Sequence, residues 1–158
     1  MSERRFSWTG GVAKPALTAS LRRVTQAMVV ELVSRIEAAG YPGITGSHHP
    51  LFENIDPEGT RLTVLAGRAG MTHQSMSELV QTLQTRGYVT REPDPSDRRA
   101  RLVVLTALGR RMVRRALLEM GRIEREWIAL LADAGLEGDL KAAMDDALQR
   151  KAGRGVSG

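Results

Sequence analysis

The sequence contains no cysteine, few aromatic side chains and no long apolar run. Without cysteine, the chain has no disulfide, no thiolate metal site and no cysteine-based redox sensor. Aromatic residues make up only 4% of the chain, which argues against a protein that stacks single-stranded bases on exposed rings. No stretch of 18 apolar residues occurs and no apolar signal-peptide core follows the N-terminal charges, so we expect a cytoplasmic protein.

Catalytic and metal-binding patterns are also missing. The three histidines are His48, His49 and His73, and no carboxylate stands at a recognisable metal-ligand spacing from the adjacent pair. We find no nucleophile–base arrangement, no phosphate-binding loop and no catalytic carboxylate pair. The sequence therefore predicts no enzyme, no cofactor and no metal site.

Charge is distributed unevenly along the 158 residues, whose 42% apolar and 26% charged content is that of an ordinary globular protein. Residues 61–115 contain 11 Lys and Arg but only 4 Asp and Glu, whereas residues 119–146 contain 3 and 8. The basic block favours a polyanionic partner. The acidic block favours contact with solvent or protein.

Both ends of the chain show long helical patterns. After a polar arm at residues 1–14, which we expect to be flexible, residues 15–40 predict a helix that begins at Pro15. Residues 107–151 predict two more helices, interrupted at Gly135. The apolar residues that repeat at helical spacing are Leu17, Leu21, Val24, Met28, Leu32 and Ile36 in the first segment, and Leu108, Met112, Ala116, Met120, Ile123, Trp127 and Leu130 in the second.

The middle of the chain, residues 45–106, predicts a compact DNA-binding domain. A short helix around Pro50 is followed by a second short helix from Leu62 to Ala69 and a break at Gly70-Met71. Thr72 is expected to cap a third helix by accepting from the Ser75 N–H, and this helix runs to about Arg86. Two helices joined by such a turn are typical of a helix-turn-helix.

The third helix has the two faces that a DNA-contacting helix requires. Its apolar face carries Met76, Leu79, Val80 and Leu83, and its candidate DNA-binding residues are Thr72, His73, Gln74, Ser75, Ser77 and Gln81. Glutamine side chains pair with adenine, and serine or threonine hydroxyls reach base edges or phosphates. An ordinary solvated face is the alternative, and the preceding turn favours DNA.

A β-hairpin follows this helix. Tyr88 to Glu92 predicts one strand, Pro93 to Asp97 a turn-rich loop, and Arg101 to Leu105 the returning strand. The tip carries Arg98 and Arg99. Surface ion pairs contribute only about 0–1 kcal/mol, so arginines at a tip are better explained by entry into a DNA minor groove, where the potential is most negative. We expect Asp97 to hold an arginine in a bidentate pair.

Residues 62–106 resemble the winged-helix core of the MarR family. The similar segments are Leu65-Ala66, Met71-Thr72-His73-Gln74-Ser75-Met76, Leu79-Val80, Leu83, Gly87-Tyr88-Val89 and the stretch from Arg91 to Gly109. The family's wing motif, Asp-x-Arg followed by a Leu-Thr helix start, corresponds to Asp97, Arg99, Leu105 and Thr106. The resemblance implies that Arg99 reaches the minor groove and that Asp97 braces an arginine.

Two departures from the family pattern stand out. Gly46-Ser47-His48-His49-Pro50 replaces a smoother helix before the helix-turn-helix, which affects the shape of any ligand pocket. Glu78 replaces an arginine that is common near the middle of the recognition helix. A carboxylate there could accept from a cytosine amino group or adjust the register of the helix, and the second explanation is favoured.

Together these features predict a mainly α-helical fold with a small β-hairpin wing, in which a winged helix-turn-helix domain is flanked by N- and C-terminal dimerisation helices. The predicted function is that of a homodimeric, sequence-specific DNA-binding regulator, and we expect a repressor rather than an activator. Its two recognition helices would lie about 34–36 Å apart, or a multiple, on a pseudo-palindromic site. The DNA-binding set also includes Asp97, Arg98, Arg99 and Arg101.

The resemblance further implies control by a small ligand. Family members release DNA when a small phenolic or lipophilic anion enters the cleft between the dimerisation helices and the winged domain. We expect Met28, His48, Phe52 and Met112 to line such a cleft. The alternative function is a winged-helix protein-interaction module without specific DNA binding, which would lack the steep salt dependence of duplex binding.

Overall fold

The computed structural model describes residues 16–136 and 138–154, except for the side chains at positions 98, 153 and 154. The predicted arm at residues 1–14 lies outside the described part of the chain. In chain order the elements are α1 (Leu17–Ala38), a 3-10 turn (Gly46–His48), α2 (His49–Asn54), β1 (Thr60–Arg61), α3 (Leu62–Arg68), α4 (His73–Thr85), β2 (Val89–Asp94), β3 (Asp97–Leu105), α5 (Ala107–Asp133) and α6 (Leu140–Arg154). The protein is mainly α-helical with a small antiparallel sheet, as the sequence predicts.

The two long helices α1 and α5 pack against each other. Their apolar stripes meet in the core, where Ile36 of α1 and Met112 and Ile123 of α5 are almost completely buried. Each fully buried side chain of this size contributes about 1.5–3 kcal/mol relative to an exposed one. The apolar residues at helical spacing therefore form the surface along which α1 and α5 pack together.

A buried carboxylate lies at the same junction. The Glu119 side chain is only 4% exposed, and the guanidinium groups of Arg115 and Arg122 lie 2.8 and 3.0 Å from its Oε1. Arg35 of α1 lies 3.6 Å from its Oε2. A buried charge is tolerated only when it is paired and hydrogen-bonded, so these three arginines are what allow a glutamate to occupy this position.

The remaining elements form the winged domain. Its three strands are antiparallel in the order β1-β3-β2, and Thr60 and Arg61 of β1 pair with Val103 and Leu102 of β3. The sequence analysis missed β1, because two residues are too short to show a strand period. The core beneath the sheet and helices is formed by Leu51, Leu65, Ala66, Met76, Val80, Leu83, Tyr88, Val89, Val103 and Leu105.

The hairpin is longer than the sequence predicts. The segment from Pro93 to Asp97 was expected to be a loop, but β2 continues through Pro93 to Asp94 and β3 begins at Asp97. Pro93 is tolerated because β2 is an edge strand, where a missing N–H costs no interior ladder bond. A register shift between Pro93 and Asp94 accompanies it. The backbone at Arg98 and Arg99 is consequently part of a strand.

The first turn of α5 is docked onto the start of the hairpin. Thr106 caps α5 by accepting from the Gly109 N–H at 3.0 Å, and its hydroxyl donates to the Gly87 carbonyl at 2.6 Å. The Thr106 N–H donates to the Tyr88 carbonyl at 3.0 Å. A Cβ on Gly109 would lie 2.0 Å from that carbonyl oxygen, so only glycine permits this approach.

The last helix, α6, begins at Leu140 and reaches Arg154, three residues beyond its predicted end at Lys151. Residues 155–158 lie outside the described part of the chain. Among the described helices, none combines the length and apolar character needed to cross a lipid bilayer.

The contact at Gly109 predicts a position-dependent effect of alanine. Gly109→Ala should lower the free energy of unfolding by about 1–3 kcal/mol or more, because the added methyl group collides with backbone that cannot move aside freely. Gly121→Ala in the same helix is the matched control, since a Cβ there meets nothing closer than 3.7 Å. This variant should raise the free energy of unfolding by about 1 kcal/mol, because alanine has the higher helix propensity. Urea unfolding monitored by circular dichroism measures both, and equal effects would contradict the close approach.

Candidate nucleic-acid interface

The N-terminus of α4 is organised by its capping residue. Thr72 Oγ1 accepts from the Ser75 N–H at 3.1 Å and donates to the Ser75 hydroxyl at 2.9 Å, which confirms the predicted cap. Gly70 supplies the turn before it with a φ of +61°, and Gly87 ends the helix with a φ of +76°. The cap satisfies the Ser75 N–H, and the other N–H groups of the first turn lie at an exposed helix end, where a phosphate is favoured.

The two faces of α4 separate as predicted. Met76, Val80 and Leu83 are fully buried. The predicted DNA-binding residues of this helix, Thr72, His73, Gln74, Ser75 and Gln81, are exposed, and Ser77 is half-buried. Glu78 is also exposed, and its Oε1 accepts from Gln74 Nε2 at 3.2 Å. The outer face therefore carries a row of short polar side chains with one carboxylate among them.

This polar face borders the wing. A shallow groove is lined by Ser77, Gln81, Gln84 and Thr85 of α4 together with Arg91 of β2. Arg91 is not among the predicted DNA-binding residues, although it lies in the basic block and begins the family-like stretch from Arg91 to Gly109. Arg91 thereby places a guanidinium group beside the outer face of α4.

The wing is held by a clamp from β1. Asp94 is buried, and its Oδ2 accepts from Arg61 Nε at 2.7 Å and lies 2.6 Å from Arg61 Nη2. Its Oδ1 accepts from the Ser96 N–H at 2.8 Å and from the Ser96 hydroxyl at 2.7 Å. These hydrogen bonds, first from Ser96 and then from Arg61, lower the pKa of Asp94 from 3.8 to about 2.

The arginine-bracing carboxylate differs from the expected one. We predicted that Asp97 would hold an arginine in a bidentate pair, but Asp94 makes the close contact with Arg61. Asp97 Oδ2 lies 3.9 Å from Arg61 Nη2, and Asp97 Oδ1 accepts from the Arg99 N–H at 3.0 Å. The two carboxylates differ in burial, because the Asp94 side chain is buried and the Asp97 side chain is exposed at the tip.

The wing arginines lie along the start of β3. The side chains of Arg99 and Arg101 are exposed, and the Asp97–Arg99 hydrogen bond orders the backbone that carries Arg99. The backbone of Arg98 belongs to the same strand, and its side chain lies outside the described part of the chain. The clamp and the backbone bond together give a cationic hairpin a defined shape.

A second candidate site is a cavity of about 300 Å³ between α1, α2 and α5. Phe52 and Met112 line it, as the sequence analysis expected, but Met28 and His48 do not. The 3-10 turn directs His48 into the protein, where its Nδ1 accepts from the Thr45 N–H at 3.0 Å. Burial, and then the nearby charge of Arg86, lower the pKa of His48, so its imidazole is neutral at pH 7.

The neighbouring histidine occupies the cavity wall instead. His49 lines the cavity, and its Nε2 lies 3.0 Å from Glu53 Oε1. Within residues 16–136 and 138–154, no group of three or more His, Asp or Glu side chains is arranged to hold a metal ion, and this includes any group around His48 and His49. The wall is otherwise mainly apolar, so its chemistry suits a small organic molecule.

Comparison with known proteins agrees with this geometry. Residues 43–100 match the MarR family model. The transcriptional regulator HosA of Escherichia coli O111:H- is 29% identical over 92 residues, which cover 58% of this chain and 68% of HosA.

Solved structures match over most of the chain. CouR from Rhodococcus jostii RHA1 bound to p-coumaroyl-CoA superposes with a TM-score of 0.66 at 24% identity, over 84% of this chain and 89% of CouR. The transcriptional repressor CouR bound to a 23-mer DNA duplex superposes with a TM-score of 0.65 at 22% identity, over 87% of this chain and 92% of CouR. PcaV from Streptomyces coelicolor in complex with its natural ligand superposes with a TM-score of 0.61 at 23% identity, over 89% of this chain and 97% of PcaV. The overall fold is the winged-helix fold of these regulators.

The clamp predicts a pH-dependent loss of stability. Because the folded-state pKa of Asp94 is about 2 and its ordinary value is 3.8, its contribution is complete above pH 4 and is lost as pH falls from 4 towards 2. Asp94→Asn should therefore unfold at a lower temperature than the parent chain at pH 6, and the difference should shrink below pH 4. Thermal unfolding followed by circular dichroism measures this difference. Glu92→Gln, an exposed carboxylate of the same strand, is the control, and a difference that stays constant with pH would refute the clamp.

Proposed function

Since residues 43–100 match the MarR family model, we propose that this chain is a MarR-family transcriptional regulator that binds double-stranded DNA sequence-specifically as a homodimeric repressor. The observation that carries the proposal is the groove where the polar face of α4 meets Arg91 of the wing. One surface thereby combines hydrogen-bonding side chains of the kind that contact bases with the cations that neutralise phosphates.

The role of α4 in this proposal is to enter the major groove. Gln74 and Gln81 are exposed on its outer face and have the amide geometry that pairs with adenine. Thr72, His73, Ser75 and Ser77 lie towards the capped N-terminus, where hydroxyl and backbone N–H groups suit phosphates. The side chains assigned to bases and those assigned to phosphates would thus alternate along the exposed face of the helix.

The role of the wing is to contact the adjacent minor groove. We assign Arg99 to the groove itself, with Arg98 and Arg101 beside it, because minor grooves over A·T tracts attract arginine. The Arg61–Asp94 clamp supports this contact indirectly, since it holds the hairpin in one shape before DNA arrives. A preordered hairpin loses less conformational entropy on binding than a mobile one.

A second copy of the chain would complete the protein. Large apolar side chains remain exposed on the long helices and α6, among them Leu117, Leu130 and Leu148 at 68, 62 and 69% exposure. Large apolar side chains are costly to leave in water, and a two-fold interface that pairs α1, α5 and α6 of two copies would cover them. The two recognition helices of such a dimer match the two halves of a pseudo-palindromic site.

The cavity is the proposed site of control. It lies between α1 and α5 of the proposed dimerisation region and α2 of the winged domain, so an occupant touches both parts of the molecule. A small aromatic or lipophilic ligand would release DNA if it binds the DNA-free arrangement more tightly than the DNA-bound one. The free energy of DNA binding changes only by the difference between the ligand's binding free energies for these two arrangements.

Removal of one wing arginine tests the DNA contact. Arg99→Ala should weaken binding to a duplex enriched from a random library by at least about tenfold, and it should reduce the slope of log affinity against log salt by about 0.9. Fluorescence anisotropy measures both quantities. The unfolding temperature should stay the same because the side chain is exposed.

Arg150→Ala is the charge-matched control for that experiment, since Arg150 is exposed on α6 and pairs with Asp146 of the same helix. It should leave affinity and salt slope unchanged. Unaltered binding by Arg99→Ala would refute the wing assignment. If the affinity of the parent chain for duplex DNA does not depend on salt concentration, the protein-interaction alternative is favoured.

The dimer is tested by placing charge on its proposed surface. Leu130→Glu and Leu148→Glu should each shift the chain from dimer to monomer at micromolar concentration, because a buried carboxylate without a partner is costly. Sedimentation velocity gives the mass directly. Val64→Glu, at an exposed apolar position in the winged domain, should leave the mass unchanged. A parent chain that sediments as a monomer would rule out the dimer.

A further inference from the structure

The cavity between α1, α2 and α5 has the dimensions of a site for one small molecule. Its volume of about 300 Å³ is at the lower end of the usual range for ligand pockets. Leu32 and Ile36 of α1, Met112 of α5 and Phe52 of α2 form much of the wall. Shape and apolar character select the size of the occupant, and the charges on the wall select its sign.

Those charges are predominantly negative. The ionisable residues on the wall are Glu53 of α2, Glu124 of α5 and His49, and no arginine or lysine lines the cavity in the part of the chain that the structure describes. The two carboxylates come from different elements, and both line the same space. The His49 imidazole is engaged by one of these carboxylates, because its Nε2 lies 3.0 Å from Glu53 Oε1.

The nearest cation of α1 along the chain is also neutralised. Arg35 immediately precedes the lining residue Ile36, but its Nη2 lies 2.5 Å from Glu31 Oε1 and 2.6 Å from Glu126 Oε2. Its guanidinium group is therefore engaged by two carboxylates outside the cavity lining. An anionic ligand would enter a mainly apolar space with carboxylates on its wall and no cation there to meet it.

The aromatic side chain on the wall adds a preference of the same sign. Phe52 is partly buried against the core and lines the cavity. The face of a phenyl ring attracts an ammonium or quaternary ammonium group that is positioned above it, and this attraction is strengthened when the cation is removed from water. An aromatic face together with two carboxylates is a combination that recognises alkylammonium ions.

We infer that this cavity binds a lipophilic cation, an aromatic or alkyl amine in its protonated form, rather than an organic anion. The inference rests on the proposed function for the idea that the cavity is a control site, and it specifies the ligand class of that site. Glu53 and Glu124 contact the cationic group, Phe52 contacts the ammonium or its adjoining carbon, and the α1 and α5 wall contacts the apolar part.

A set of three molecules that share one apolar part tests the sign. These probes are 4-tert-butylbenzylammonium, 4-tert-butylbenzyl alcohol and 4-tert-butylbenzoate, titrated into the full chain without DNA by isothermal calorimetry. The ammonium should bind at least about tenfold more tightly than the benzoate, which corresponds to about 1.4 kcal/mol, and the alcohol should lie between them. Tighter binding of the benzoate, or no binding of the ammonium, overturns the inference.

Substitution of the carboxylates tests the location. The double variant Glu53→Gln/Glu124→Gln should lose about tenfold in affinity for the ammonium and keep its affinity for the alcohol, because its size and shape are nearly unchanged. Glu58→Gln is the control, since Glu58 is exposed before β1 and does not line the cavity. Circular dichroism verifies that each variant is folded. An unchanged ammonium affinity in the double variant overturns the inference.

A separate measurement distinguishes this inference from the proposed function. Addition of saturating 4-tert-butylbenzylammonium to the protein–duplex complex should lower the DNA affinity measured by anisotropy. If the parent chain binds no duplex at all, the proposed function fails, while the calorimetric comparison of the three probes still decides the ligand class. If DNA binds and the benzoate alone releases it, the ligand class assigned here is wrong.

Discussion

The close approach of the first turn of α5 to the Tyr88 carbonyl is the contact on which the rest of the molecule depends. Gly109 permits it, and Thr106 secures it by bonding to both Gly87 and Tyr88. The junction joins the end of α4, the start of the wing and the long helix that packs on α1. The orientation of α4 and the wing relative to the proposed dimer helices is therefore set by one close backbone approach together with the hydroxyl and N–H of Thr106.

A second line of contacts connects the cavity to the recognition helix. Arg86, the C-terminal cap of α4, donates to the Gly43 carbonyl and lies near the buried His48. Two residues beyond Gly43, Thr45 is part of the cavity wall and also holds the His48 ring. An occupant that moves this segment would move the end of α4 through packed groups, which is the physical requirement for coupling between the two sites.

The charges that line these two sites differ in sign. On the wing, Arg91, Arg99 and Arg101 are exposed. The cavity wall carries Glu53 and Glu124 and no arginine or lysine within the described part of the chain, and on α5 the buried Glu119 is balanced by Arg35, Arg115 and Arg122. The residues proposed to contact DNA and those proposed to contact the cationic ligand therefore carry opposite charges.

The sequence by itself determined the features that depend on neighbouring residues. The apolar spacing of α1 and α5, the Thr72 cap and the Gly87 stop follow from hydrogen bonds and periodicities that span a few residues, and the structure confirms each of them. The tertiary structure alone decided the Arg61–Asp94 clamp, the two-residue strand β1 and the presence of His49 rather than His48 on the cavity wall. Arg61 and Asp94 are 33 positions apart, and which of two nearby carboxylates or histidines is buried depends on how the strands and helices pack. Local patterns carry no information about that packing, because the partner that buries a side chain comes from a distant part of the chain.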